Sequence, residues 1–354
     1  MPHCDHPRAS IAGRPPSFHL PRESLGSRPA PRRRRAPLRR RRVGSNVVPG
    51  RHERPLPQDA FLKAIGVDVA SSSSSSSSSP STSSPSFQLP HALVGDGPHK
   101  VIAVHGWFAD RSAYAPVLAD LDLASFQYAV VDLRGYGEAK DAAGAYTTSE
   151  GAADVVGLAD RLGWDRFSLI GHSMGGCVAQ RVLAIAPHRV RRLVGVSPVP
   201  ASGLELPPEQ WELFSEADRL PGNRRAIIDA TTGGARPAAW LDRMVERSLD
   251  VSDAKAFRAW LDSWAGEDFH DRVEGSTVPA LAVVGALDPA LGADLMRRTW
   301  LRWYARAELT ELSQAGHYAM DETPLALIRA VEDFLRKDDE GDGEGGSESG
   351  DGSS

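Results

Sequence analysis

Cysteine is nearly missing. Cys4 and Cys177 are the only two in 354 residues, too few for a disulfide framework and without the spacing of a metal site. Long apolar runs are missing as well. No stretch reaches the about 18 consecutive apolar residues of a membrane span, and the leader holds no run long enough for the apolar region of a secretory signal. Acidic residues are scarce at one end of the chain and basic residues at the other. The formal net charge of −5 therefore averages two opposite tails and says little about partners of the folded part.

Those tails stand out by composition. Residues 1–86 are dense in Pro, Arg and Ser, with the runs Arg32 to Arg35 and Arg39 to Arg42 and the polyserine tract Ser71 to Ser79. Such text buries too little apolar surface to offset its chain entropy, which implies a disordered leader and linker. Its Arg-rich, Ser-rich, acid-poor character also fits a transit peptide, so the expected location is the cytoplasm, or a plastid or mitochondrion if the leader is cleaved there. Residues 337–354 form an acidic, Gly/Ser-rich tail that should be unstructured too.

Between the tails lies enough hydrophobic sequence for a core; the whole chain is 41% hydrophobic. From Phe87 onward, short runs of Val, Ile, Leu and Ala alternate with amphipathic text. Strands are expected at 100–106, 127–135, 167–171, 191–198, 280–288 and 307–312. Helices are expected at 112–123, 148–163, from Met174 to about Ala186, near 290–303, and from Pro324 to about Arg336. Strands apolar on both faces are parallel strands between helix layers, so the fold class is α/β. Residues 200–275 break the rhythm. They hold no convincing strand but carry Trp211, Phe214, Trp240, Met244, Phe257, Trp260 and Trp264 in helical text, which reads as a helical insertion.

The stretch "FSLIGHSMGGCVAQ" (167–180) carries the chemistry. A serine becomes a nucleophile only when a base takes its proton, and the attack needs donors waiting for the oxyanion. A sharp strand-to-helix turn exposes the Ser173 hydroxyl and aims a helix N-terminus at it. Gly171 and Gly175 let strand and helix approach closely enough, and Met174 would give its backbone N–H to the oxyanion. The pattern alone is common in a chain with 33 glycines, so context decides.

That context resembles the α/β-hydrolase family over about residues 87–336. "VIAVHGWF" is similar to the family's H-G-x stretch, which implies Trp107 as the second oxyanion amide. "VVDLRGYG" resembles a structural turn, "VVGALDPA" the strand end that carries the acid, and "SQAGHYAMDETP" the late G-H loop. The implied triad is Ser173, Asp288 and His317, in the chain order this fold uses. The resemblance also implies a mostly parallel sheet flanked by helices, with the helical cap inserted after the sixth strand. Only 87–95 is available as an early edge strand, unless 61–70 supplies one across the linker. Asp132 is expected to be structural, His105 to brace the oxyanion loop, His172 to point away from the nucleophile, and Cys177 to be a small buried hydrophobe.

The chemistry follows. Family members that open epoxides place aspartate at the nucleophile position, so Ser173 favours acyl transfer. The expected activity is hydrolysis of a small to medium, largely apolar carboxylic ester through an acyl-enzyme, without cofactor or metal. A cofactor-free perhydrolase, a C–C bond hydrolase and a slow-turnover ligand sensor are the alternatives that the same triad supports. Nucleic-acid binding through the Arg runs ranks behind these. The sequence leaves oligomeric state and physiological substrate open.

Overall fold

In a computed structural model, the structure describes residues 87–337. The leader, the extra strand sought at 61–70 and the acidic tail lie outside those residues. Seven strands build one sheet: β1 (His91–Val94), β2 (His99–Val104), β3 (Phe126–Val131), β4 (Phe167–His172), β5 (Val190–Val196), β6 (Ala280–Gly285) and β7 (Ala307–Leu312). Their spatial order is β1-β3-β2-β4-β5-β6-β7. β1 pairs antiparallel with β3 and all other neighbours are parallel.

The sequence explains which strand sits where. β4 and β6 are buried at every residue, as central strands between helix layers must be. β1 alternates half-buried and buried positions, and β7 is mostly open, as suits the two edges. Helices α1 (Ala115–Leu118), α2 (Thr148–Arg161), α3 (Met174–Ile185), α4 (Pro208–Ser215), α5 (Pro221–Thr231), α6 (Ala238–Val251), α7 (Ala254–Gly266), α8 (Ala293–Arg298), α9 (Trp300–Trp303), α10 (Ala319–Glu322) and α11 (Pro324–Leu335) complete the chain. α2 starts where Thr147 accepts the Glu150 amide at 3.1 Å while the Glu150 carboxylate accepts the Tyr146 amide at 2.8 Å.

Two expected helices come out shorter. The one at 112–123 is a 3₁₀ turn (Arg111–Tyr114) followed by the single turn of α1. Pro116 at its start has no N–H to extend the ladder backwards, and the Asp122 amide is drawn to the Glu332 carboxylate at 2.9 Å instead. The one near 290–303 splits at Thr299, whose hydroxyl bonds back to the Leu295 carbonyl at 2.8 Å.

Helices α4 to α7 form the cap, between β5 and β6. Among the described residues it therefore follows the fifth strand, because a single edge strand, β1, precedes β2; the expectation of a sixth counted one strand more. Hydrogen bonds tie cap and body at several points. The Trp260 indole donates to Arg134 O at 2.9 Å and the Trp107 indole to Phe257 O at 2.7 Å. The Asp253 amide donates to Gly135 O at 2.8 Å and the Thr148 amide to Ser263 Oγ at 2.8 Å.

Candidate active site

At the carboxyl end of β4 the chain turns directly into α3 at Ser173, whose backbone stands at φ 54°, ψ −118°. Few side-chain-bearing residues tolerate that region. The turn is held by its own backbone: the Ser173 amide donates to Val196 O at 3.0 Å, and its carbonyl accepts Gly176 N at 2.9 Å and Val199 N at 3.0 Å. A Cβ at Gly171 would lie 2.3 Å from Gly175 O, and one at Gly175 would lie 2.5 Å from the carbonyl oxygens of Val104 and His105. Neither position has room for a side chain without a shift of the backbone around it.

The loop after β2 lies against the same spot. A Cβ at Gly106 would stand 3.2 Å from the Ser173 Cβ and 2.6 Å from His172 Nδ1. Met174 is the first residue of α3, where an amide has no partner inside the helix. Among the described residues, neither its N–H nor that of Trp107 donates to a carbonyl.

Asp288, in the loop after β6, and His317, in the loop after β7, are brought together. His317 Nδ1–H donates to Asp288 Oδ2 at 2.7 Å, with both residues buried. Asp288 Oδ1 accepts the amides of Ala290 at 2.9 Å and Leu291 at 3.1 Å, so both oxygens have fixed partners. Among the described residues no hydrogen bond joins the Ser173 hydroxyl to the imidazole.

The neighbouring residues divide as the sequence suggested, with one difference. Asp132 accepts the amides of Arg111 at 2.8 Å and Glu138 at 3.0 Å and pairs with Arg111 at 3.2 Å, a structural role. His105 donates from Nδ1 to Gly106 O at 2.8 Å and accepts the Leu133 amide on Nε2 at 3.1 Å. It braces the loop as a neutral ring, since burial lowers its pKa to about 4. Cys177 is fully buried, which pushes its thiol pKa up and leaves it inert. His172 differs. Its ring packs 4.9 Å from the His317 ring, and its Nε2–H donates to the His317 carbonyl at 2.9 Å. Burial, then the His317 imidazole, hold its pKa well below the ordinary value, so it too is neutral.

Sequence reasoning missed the groups that hold the His317 loop by its backbone. The His317 amide donates to Thr231 O at 3.1 Å, at the end of α5. The Glu322 carboxylate accepts Gly316 N at 2.7 Å and Tyr318 N at 2.8 Å. Contacts to main-chain atoms leave no side-chain pattern, so nothing in the text around His317 announces them.

Three of the cap aromatics pack on Trp107, in the loop after β2. Trp107 stacks on Phe257 (centroids 4.0 Å, 18°) and Phe214 (5.8 Å, 7°), and meets Trp264 edge-on at 5.4 Å. Trp240 is only half-buried and meets Tyr318, beside His317, edge-on at 5.8 Å. Among the described residues no cluster of His, Cys, Asp and Glu could hold a metal ion, and no helix is long and apolar enough to cross a membrane.

Comparison with known proteins agrees with this architecture. The chain is 28% identical over 255 residues to a pimeloyl-[acyl-carrier protein] methyl ester esterase of Pectobacterium carotovorum, covering 68% of this chain and 96% of the relative. It is 24% identical over 290 residues to a 2-hydroxy-6-oxononadienedioate/2-hydroxy-6-oxononatrienedioate hydrolase of Pseudomonas putida, covering 76% and 99%. Among solved structures, an esterase from Exiguobacterium antarcticum superposes with a TM-score of 0.64 at 18% identity, over 70% of this chain and 96% of that one. The family signature described as alpha/beta hydrolase fold matches residues 100–324. The chain belongs to the alpha/beta hydrolase fold family.

Proposed function

We propose that the protein is a serine hydrolase that cleaves a small to medium, largely apolar carboxylic ester through an acyl-enzyme. The observation that carries this reading is the 2.7 Å hydrogen bond from His317 Nδ1–H to a doubly anchored Asp288, on the rim where Ser173 stands at the α3 N-terminus. That bond fixes the tautomer with its lone pair on Nε2, the one able to take a hydroxyl proton.

The steps follow from the residues. Ser173 Oγ attacks the ester carbonyl as its proton moves to His317 Nε2, and Asp288 stabilises the imidazolium. The oxyanion lies against the α3 N-terminus, where the amides of Met174 and Trp107 are uncommitted. Collapse of the tetrahedral intermediate breaks the C–O bond, and His317 returns the proton to the leaving alcohol. Water then repeats the sequence on the acyl-serine and releases the acid. No step requires a cofactor or metal. The esterases among the relatives support the ester class, and the half-buried Trp240 beside Tyr318 supports an apolar substrate group.

One second reading has an observation behind it. The C–C bond hydrolase relative is matched over 99% of its length, so the same triad acting on a vinylogous ketone is the alternative. A panel of esters of graded acyl and alcohol length, run beside a 2-hydroxy-6-oxo-dienoate and a serine-directed fluorophosphonate, separates the two. The ester reading predicts labelling at Ser173 and turnover of short-chain esters well above that of the dienoate. Labelling elsewhere, or turnover of the dienoate alone, overturns it.

A further inference from the structure

The His317 loop, residues 313–318, is gripped from several sides. Glu322 Oε2 accepts Gly316 N–H at 2.7 Å and Oε1 accepts Tyr318 N–H at 2.8 Å, so one carboxylate brackets the histidine. Its side chain is 1% exposed and is paired at 2.6 Å with Arg236, which belongs to the cap segment between α5 and α6. The Arg236 guanidinium also donates to Gln314 O at 3.0 Å. The His317 amide goes to Thr231 O in the cap, and its carbonyl receives His172 Nε2–H. A buried carboxylate needs its partners, and here they are two loop amides and one cap guanidinium.

We propose that Glu322 and Arg236 form a clamp through which the cap positions the His317 imidazole. The inference rests on reading His317 as the general base. Asp288 fixes the ring's tautomer and tilt, but a ring on a loose loop would still swing about that single hydrogen bond. The bracket fixes the main chain beneath the ring, which sets the place of Nε2 over Ser173. Glu322 and Arg236 are positioning residues; neither reaches the reacting atoms. The cap thereby does more than cover the site, because part of the base's support is built from it.

Substitution at Glu322 cannot be silent under this arrangement. A glutamine keeps the shape but presents one acceptor oxygen to two amides, so one N–H meets another donor, and Arg236 loses its counter-charge. Because a displacement of about 1 Å costs about 100-fold in rate, Glu322→Gln should lower kcat by about 10-fold and Glu322→Ala by about 100-fold. KM should stay within about two-fold of wild type, since ground-state binding is untouched. Arg236→Met should follow in the same direction, and Arg236→Lys should recover part of the loss.

The experiment measures kcat and KM on an activated short-chain ester for these four variants, normalised to sites titrated with a fluorophosphonate. In parallel, the low-field proton resonance of the His317 Nδ1–H is recorded. Loss of kcat per titrated site together with a weakened or broadened resonance supports the clamp. Unchanged kcat and resonance in both Glu322→Gln and Arg236→Met overturn it, as does a rise in KM at constant kcat. Should Glu322→Ala fail to fold, the two Arg236 variants, at a partly exposed position, still decide the matter. Ester cleavage that survives Ser173→Ala would remove the serine-hydrolase reading instead, and the resonance would still report on the clamp.

Discussion

Phe257 lies 4.0 Å from Trp107, ring over ring, and its carbonyl accepts the Trp107 indole N–H at 2.7 Å. One residue of α7 thus holds both the face and the edge of the Trp107 side chain, beside the amide proposed for the oxyanion. The guanidinium of the buried Arg224 sits 3.9 Å from the Phe257 ring centroid, so the support continues into the cap. Truncation of Phe257 to alanine should cost about 3–5 kcal/mol of stability and lower kcat, because the loop loses its packing. Trp107→Phe keeps an aromatic face but loses the indole hydrogen bond. It should cost about 1 kcal/mol and lower kcat less. Thermal unfolding beside kcat on one ester checks the ranking; equal effects of the two changes would contradict it.

Ser173 carries a backbone strain that the proposed nucleophile role explains and stability does not. At φ 54°, ψ −118° a Cβ is disfavoured, and such conformations cost on the order of 1–3 kcal/mol. Ser173→Ala and Ser173→Gly should both abolish turnover, by about 10⁴-fold or more. They should differ in stability: the glycine variant relieves the strain and should unfold at higher urea concentration than the alanine variant, by about 1 kcal/mol after its extra chain entropy. Identical midpoints would mean that the turn is not strained in solution.

Stability should fall on acidification, and His105 is one cause. Its buried ring has a pKa lowered from 6.5 to about 4, first by desolvation. As pH drops below 6.5 the unfolded chain takes up a proton that the native ring refuses until about 4. The unfolded state therefore binds more protons in that window, and up to about 3 kcal/mol is lost across it. His172, lowered further by burial and by His317, adds a loss of the same sign. Asp132 opposes them: burial raises its pKa from 3.8 to about 6, so the native state protonates first and gains stability as pH falls through that range. Asp321, also raised by burial, acts with Asp132, whereas Asp122 and Glu138, lowered first by their hydrogen bonds to Ser125 and Arg111, act with the two histidines, and the expected sum is a loss. His105→Gln should flatten the decline in unfolding free energy between pH 7 and pH 5 relative to wild type, and parallel slopes would refute the assignment.

The legible parts of the molecule were those in which a side chain speaks for itself. β4 and β6 could be read because every residue in them is buried, and the meeting of Asp288 with His317 because both stand in recognisable text. The helix expected at 112–123 failed because its ladder competes with Pro116 and with a carboxylate more than 200 residues away, Glu332. Thr231, Arg236 and Glu322 were invisible for a different reason: they act on main-chain atoms of a loop that only the folded chain brings to them. His172 looked like packing because its partner is a carbonyl 145 residues on.

Asp288→Asn offers the sharpest test of the site, because the carboxylate's other partners dictate how an amide must sit. The amides of Ala290 and Leu291 both point at Asp288 Oδ1, at 2.9 and 3.1 Å. Asparagine must give them its oxygen, since its NH₂ would face two donors. The NH₂ then faces His317 Nδ1 and donates to it, which moves the imidazole proton to Nε2. A ring protonated there cannot take the Ser173 proton, although every atom stays near its place. The expected result is a loss of about 10⁴-fold in kcat with little change in Tm or in substrate binding. Nitrogen-15 chemical shifts of His317 should report the exchanged tautomer. A variant that keeps wild-type kcat, or that keeps the Nδ1–H tautomer, would show that the 2.7 Å bond between Asp288 and His317 does not govern the base.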